Sequence, residues 1–368
     1  MKNLSIFKNS RVIVTGHTGF KGSWLTAWLK QLGADVMGIS LHPPSQPYHF
    51  KVSKINYGIK DVKLDIRNQY KLEKKIISFK PRFIFHLAAQ SLVRKSYISP
   101  TLTWQTNVLG TLNILESLRK LKNSCNVIII TSDKCYFNKE THKGYKETDI
   151  LGGKDPYSGS KASAEILVNS FINSFFLNNN KTKIRIATAR AGNVVGGGDW
   201  AENRIVPDCV RSWSKNKKAK LRNPKSTRPW QHVLEAVGGY LCLAINLKFH
   251  KNLHGESFNF GPKLHKEYSV LELVKNISTN WNNVSWKIEK RTNKKFFESE
   301  LLRLNCNKAR KILKWKSILN FNETSKMVAE WYSSYYFDPK RVNKTTEKQI
   351  KEFQILAKKR NLKWAKIS

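Results

Sequence analysis

The sequence predicts an α/β chain: a doubly wound parallel sheet followed by a smaller mixed C-terminal part. Three observations carry that prediction. Apolar runs of strand length alternate with stretches in helical periodicity, the pattern of parallel strands covered by helices on both faces. A glycine-rich turn joins the first run to the first helix. The alternation then stops after Gly192, where Gly196, Gly197 and Gly198 open a loop and shorter elements follow. The chain has 368 residues, 40% hydrophobic, 11 of them Trp, which is enough for a large core and excludes a wholly disordered protein. Only 19 Gly and 11 Pro exclude a collagen-like or low-complexity one.

Taken in order, residues 11–15 form the first strand, and residues 20–32 carry Trp24, Leu25, Trp28, Leu29 and Leu32 at helical spacing. Val36–Leu41, Phe83–Leu87 and Val127–Thr131 are further strands. Helical patterns lie at 68–79, 102–121 and 157–176, and a strand at 184–190. Phe258–Gly261 reads as a strand and turn returning to the sheet, and a helix is expected near 323–336. The expected division is a Rossmann-like domain at 1–191 and a mainly substrate-binding part at 192–338, some segments of which return to the first domain. A basic helical tail at 339–368 carries Ile350, Phe353, Leu356 and Ala357 at helical spacing.

Lys+Arg number 66 against 26 Asp+Glu, a formal charge of +40. The cations are spread along the chain, and the richer stretches, 178–183, 215–220 and 358–366, lie far apart. No paired Cys/His finger, helix-turn-helix spacing or aromatic RNA-binding signature accompanies them. A solvated basic surface is therefore expected, with no specific nucleic-acid partner; affinity for polyanions or phosphorylated substrates is the competing reading. No run of 18 apolar residues predicts a membrane span. The first eight residues lack the apolar core of a secretion signal. Cys125, Cys135, Cys209, Cys242 and Cys306 contain no C-x-x-C, so reduced thiols, no metal site and a cytoplasmic location are expected.

Three segments carry chemistry. Gly16-His17-Thr18-Gly19-Phe20-Lys21-Gly22 follows a strand and opens a helix. Gly16, Gly19 and Gly22 permit a tight turn, close approach to a pyrophosphate and close helix packing, and the helix N-terminus favours the anion. A plain strand–helix turn is the competing reading. The acid expected after the second strand, for the adenosine ribose, is replaced by His42. Asp65 either reaches the adenine amino group or starts a helix before Arg67. The second segment places Tyr157 and Lys161 four apart, on one helix face, where an ammonium favours the phenolate. In isolation such a pair is a common surface feature. The third, Thr131-Ser132-Asp133-Lys134-Cys135-Tyr136, puts a hydroxyl, an acid and a lysine at a strand's C-terminal end, where open α/β sheets bind ligands.

On these residues the chain resembles the extended short-chain dehydrogenase/reductase family and, within it, the 4,6-dehydratases that act on CDP-glucose. Phe85–Gln90, Thr106–Thr111, Asp155–Lys161, Arg190–Trp200 and Arg228–Val233 extend the match, which runs from Val12 to about Trp315 and leaves the tail without a counterpart. Lys134, where better-known dehydratases carry Glu, marks the subgroup; His42 departs from its usual Asp.

The resemblance implies NAD as cofactor, held by Gly16, Thr18, Gly19, Phe20, Gly22, Asp65, Leu87, Ala88, Ala89, Asn107, Tyr157 and Lys161. It implies oxidation of a hexose at C4, loss of water across C5–C6 and return of the hydride to C6, a step in deoxysugar and cell-surface polysaccharide synthesis. Tyr157 is then the base at the 4-hydroxyl, tuned by Lys161, and Ser132 bonds the 4-oxygen. Asp133 protonates the departing 6-hydroxyl. Lys134 is the candidate C5 base, which requires a neutral amine, or else it stabilises enolate charge. Arg204 and Arg228 suit a pyrophosphate, Asn193 a phosphate and Gln90 the sugar; His232 either joins them or only packs. Relatives suggest a homodimer or dimer of dimers through the helices near 102–121 and 155–176. Two other functions remain open: a nucleotide-sugar 4-epimerase, and a non-catalytic polyanion-binding Rossmann protein.

Overall fold

The computed structural model describes residues 2–43, 45–177, 183–263, 268–281, 284–289 and 301–366. Most of the basic stretch 178–183 lies outside the described residues. The first half runs β1 (Arg11–Thr15), α1 (Phe20–Gln31), β2 (Asp35–Ser40), α2 (His49–Val52), β3 (Lys60–Lys63), α3 (Gln69–Phe79) and β4 (Phe83–His86). Then come α4 (Val93–Ile98), α5 (Pro100–Trp104), α6 (Gly110–Arg119), β5 (Cys125–Ile130), α7 (Pro156–Phe171) and β6 (Ile184–Ala191). A π-helical turn, Gln105–Leu109, joins α5 to α6, and another, Ile172–Phe176, extends α7. The second half adds β7 (Val194–Val195), α8 (Ile205–Trp213), β8 (Ala219–Leu221), β9 (Thr227–Arg228), β10 (Gln231–His232) and α9 (Val233–Phe249). It ends with β11 (Ser257–Phe260), β12 (Tyr268–Ser269), α10 (Val270–Ser278), β13 (Trp286–Ile288), α11 (Phe321–Phe337) and α12 (Val342–Lys359).

The central sheet is parallel throughout, in the order β3-β2-β1-β4-β5-β6-β11. Its strands are apolar on both faces because both are covered. Ile13, Ile84, Val127 and Ile129 pack under α3, α6 and α7 with Leu72, Ile114 and Val168. Val14, Phe85, Ile128 and Ala189 pack on the other side with Trp24, Trp28 and the apolar α9. The order reverses between β1 and β4, which leaves a crevice at their C-terminal ends; open sheets of this kind bind ligands there.

α9 and β11 complete the sheet layer, whereas β8, β13, α8 and α10 make a small lobe beside it. The tail is docked. Ile350, Phe353 and Ala357 are buried, Leu356 half-buried, and Phe353 meets Trp28 edge-on at 5.5 Å. Trp331 Nε1 donates to Thr346 Oγ1 at 2.9 Å, and the same hydroxyl bonds His49 Nε2 at 3.2 Å.

Candidate active site

The glycine loop begins at the end of β1. Gly16 has φ +74°, and a Cβ there would lie 2.7 Å from the Ala88 nitrogen at the end of β4. At Gly22 a Cβ would fall 2.1 Å from the Gly16 carbonyl oxygen. Both positions require glycine. Gly19 is the cap residue of α1 and has no side chain, so no cap hydrogen bond occupies the first N–H groups of the helix. Thr18 ties the loop to the end of β2, through Ser40 Oγ at 2.8 Å and the Leu41 carbonyl at 2.9 Å.

Behind the loop, His86 bridges Thr15 Oγ1 at 2.7 Å and Thr111 Oγ1 at 3.0 Å; burial lowers its pKa to about 3, so the ring is neutral. Leu87 continues the register with β1 through a bond to the Thr15 carbonyl, and Ala88 donates to Thr15 Oγ1. Asn107 accepts from the Gln90 N–H at 2.8 Å and donates to Ser160 Oγ at 2.8 Å, joining the segment after β4 to α7.

α7 starts where it does because Pro156 occupies its first turn and Asp155 caps it, accepting from Tyr157 N and Ser158 N at 3.0 Å each. That cap sets Tyr157 in the first turn, facing the end of β5. Ser132 caps the short turn Asp133–Cys135 and donates to Asp133 Oδ1 at 2.8 Å. Tyr157, Ser132 and Asp133 are buried together. Burial pushes the Tyr157 phenol up to about 12, and a hydrogen bond with Ser132 opposes it. The expected lowering by Lys161 is not what dominates. Lys161 turns its ammonium to the Ile130 carbonyl at 3.5 Å, and burial lowers its own pKa to about 8. Lys134 is half-buried; its backbone N–H donates to Ser132 Oγ at 3.3 Å.

On the far side, a Cβ on Gly192 would sit 2.5 Å from Asp133 Oδ2. Asp133 and Gly192 line a recess with Pro229, Gln231 and Pro262, at the seam between sheet and lobe. Arg228 precedes Pro229 and lies on β9, opposite Tyr268. Asn193 follows Gly192, and its carbonyl accepts from Gln231 N at 3.2 Å. Arg204 donates to Asp199 Oδ2 at 2.6 Å and stands within electrostatic reach of Tyr157.

Gln90 is placed differently from the expectation, and His232 and Asp65 take the second of the two readings open to each. The Gln90 side chain is taken up by Leu92 and Thr103 rather than turned to a sugar. His232 is fully buried; it caps α9 through Leu234 N at 3.3 Å and packs edge-on against Trp24. The Asp65 carboxylate is held in the guanidinium of Arg67, with bonds of 2.9 and 2.6 Å, and Arg67 holds its pKa below the ordinary range.

The GDP-mannose 4,6 dehydratase family model matches residues 13–328. The chain belongs to that family. It is 41% identical over 338 residues to the CDP-glucose 4,6-dehydratase of Salmonella typhimurium, an alignment covering 91% of this chain and 94% of the relative. Two solved structures share the fold. An epimerase from Methanothermobacter thermautotrophicus has a TM-score of 0.76 at 22% identity, covering 92% of this chain and 96% of its own. A dTDP-glucose 4,6-dehydratase from Bacillus anthracis has a TM-score of 0.70 at 22% identity, covering 88% and 97%.

Within this family member, Lys21 is a site residue to which the sequence reading gave no role. It is half-buried on the first turn of α1, within electrostatic reach of Asp133, Arg204, Lys161 and Asp199. Burial lowers its pKa to about 8. The signal was present in the sequence: a lysine between two glycines, on a helix N-terminus that disfavours cations.

Proposed function

We propose that the chain is a 4,6-dehydratase converting CDP-D-glucose to CDP-4-keto-6-deoxy-D-glucose with NAD. The observation that carries this reading is the meeting of Tyr157 and Ser132 with a buried acid, Asp133, on the wall of the recess. A 4-epimerase needs the tyrosine and the cofactor; an acid beside them has work only when a hydroxyl must leave. The relative at 41% identity is named for the same substrate, and the B. anthracis dehydratase is a complex with NAD.

The residues fit the cofactor: the glycine cradle admits no Cβ, and the N–H groups at the start of α1 suit a pyrophosphate. Asn107 and the segment Leu87–Ala89 form the wall behind it. When bound there, NAD would supply the acceptor for the C4 hydride and its return to C6. Tyr157 accepts the 4-hydroxyl proton while Ser132 holds the oxygen. Asp133 donates a proton to the departing 6-hydroxyl, and Lys134 takes the C5 proton or stabilises the charge left there. Arg204, Arg228 and Asn193 hold the diphosphate, with the small lobe covering the nucleotide.

The Asp65 contact to adenine belongs to this proposal and requires the carboxylate to be shared with Arg67. The active form is a dimer through α5, α6 and α7, and the charge of +40 is surface charge without a specific nucleic-acid partner. The five cysteines are free and buried, in keeping with a cytoplasmic enzyme of deoxysugar synthesis.

Incubation of the purified protein with CDP-glucose, and separately with UDP-, dTDP- and GDP-sugars, tests the reading. A 4-keto-6-deoxy product from CDP-glucose is expected. A C4 epimer formed without loss of water would overturn it.

A further inference from the structure

Glu165 and Arg190 are buried beneath the site and take no part in the steps above. Arg190 grips the carboxylate with two bonds, Nε to Oε1 at 2.8 Å and Nη2 to Oε2 at 3.0 Å. Thr131 Oγ1 donates to Oε1 at 2.5 Å and Thr188 Oγ1 to Oε2 at 2.9 Å. Burial would push the Glu165 carboxyl up, but Arg190 and these hydroxyls hold it below the ordinary range, so it is charged. A buried ion pair costs about as much in desolvation as it returns, so stability alone does not explain one here.

What the pair does is join the parts that carry the chemistry. Glu165 stands four residues after Lys161 and eight after Tyr157, on the same face of α7. Thr131 immediately precedes Ser132. Arg190 lies two residues before Gly192, the residue whose bare Cα makes room for Asp133 Oδ2. Arg190 Nη1 also donates to the Tyr136 hydroxyl at 2.7 Å. The loop 131–136 is thus held at one end by Glu165 and at the other by Arg190.

We propose that Glu165 is a positioning residue, whose carboxylate sets the Ser132–Asp133 loop against the Tyr157–Lys161 helix. Neither Glu165 nor Arg190 touches substrate; they act through Thr131, Tyr136 and Gly192. This inference rests on the dehydratase reading for its kinetic consequence, though not for its geometry. Oxidation at C4 draws on Tyr157 of α7 as well as Ser132 of the loop, whereas elimination depends wholly on where the loop holds Asp133, so a loosened loop affects the later step more.

Thr131→Val tests this with the Glu165–Arg190 pair left intact, so the fold is retained. The expected result is a kcat lowered about tenfold or more with KM little changed, and bound NADH accumulating after CDP-glucose is added. Thr131→Ser, which keeps the hydroxyl, should restore the parental rate. A crystal structure of Thr131→Val should show the Asp133 carboxylate displaced from Gly192. Parental kcat without NADH accumulation, or an unmoved Asp133, would overturn the proposal. A parent that forms no 4-keto-6-deoxy sugar would overturn the dehydratase reading alone, and the crystallographic arm would still decide this one.

Discussion

At Tyr157, burial and hydrogen bonding pull in opposite directions. The phenol is held up near 12 by desolvation, so it carries its proton at neutral pH and needs Ser132 and a cationic surrounding to work as a base. Tyr157→Phe removes the phenol hydrogen-bonded with Ser132, and loss of a general base costs ~10²–10⁴ in rate. Single-turnover NADH absorbance on adding CDP-glucose should fall by that factor; a near-parental rate would make the tyrosine structural. Lys21 permits a prediction about stability. Its folded pKa is about 8 against an ordinary 10.5, so between those values the unfolded chain binds more protons and stability rises with pH. Below about pH 8 the destabilising charge is fully present. Lys21→Met should therefore melt above the parent at pH 7, with the gap closing as pH rises past 10; a lower melting temperature at pH 7 would contradict this. Tyr157, Ser132 and Asp133 were legible because residue type and spacing define their chemistry. Gln90 was not, because its side chain found a partner in Thr103, 13 residues away, and at His232 and Asp65 a local partner two residues on, Leu234 or Arg67, left the spacing compatible with either reading.

Elements set the distances that residues then use. The end of β6 shows this at Gly192, where a methyl group would stand 2.5 Å from Asp133 Oδ2 and 3.1 Å from its Cγ. Gly192→Ala should leave the chain folded, since only a side chain must move, but should displace the acid. Turnover should fall with bound NADH accumulating, as measured by stopped-flow absorbance; parental turnover would show that Asp133 tolerates the shift. The strands of the sheet interior were readable because they are apolar on both faces. β3, with the sequence Lys-Asp-Val-Lys, was not, because it lies at the sheet edge and needs only backbone pairing with β2. α9 escaped for the opposite reason: fourteen of its 17 residues are buried, so it has no polar face to mark its period.

For the whole molecule, the +40 charge lies on a well-filled interior, and the basic tail closes that interior by burying Phe353 and Trp364 against Trp28. Its docking could not be read from the sequence, since the partner helix is some 320 residues away. An apolar surface is open among the described residues. Trp104 and Leu109 on the α5–α6 side and Ile166 on α7 are 40%, 49% and 58% exposed, and Trp104 lies 3.3 Å from where a Gly159 Cβ would be, so the two sides are continuous. Sedimentation should find the parent dimeric and Ile166→Glu monomeric; a monomeric parent would contradict the assignment. In the dehydratase reaction one hydride leaves C4 and arrives at C6 of the same sugar. CDP-glucose deuterated at C4 tests it directly. A 4-keto-6-deoxy product carrying the deuterium at C6, with no net NADH, is expected; deuterium retained at C4 of a hexose epimer that has lost no water, or left on accumulated cofactor, would contradict it.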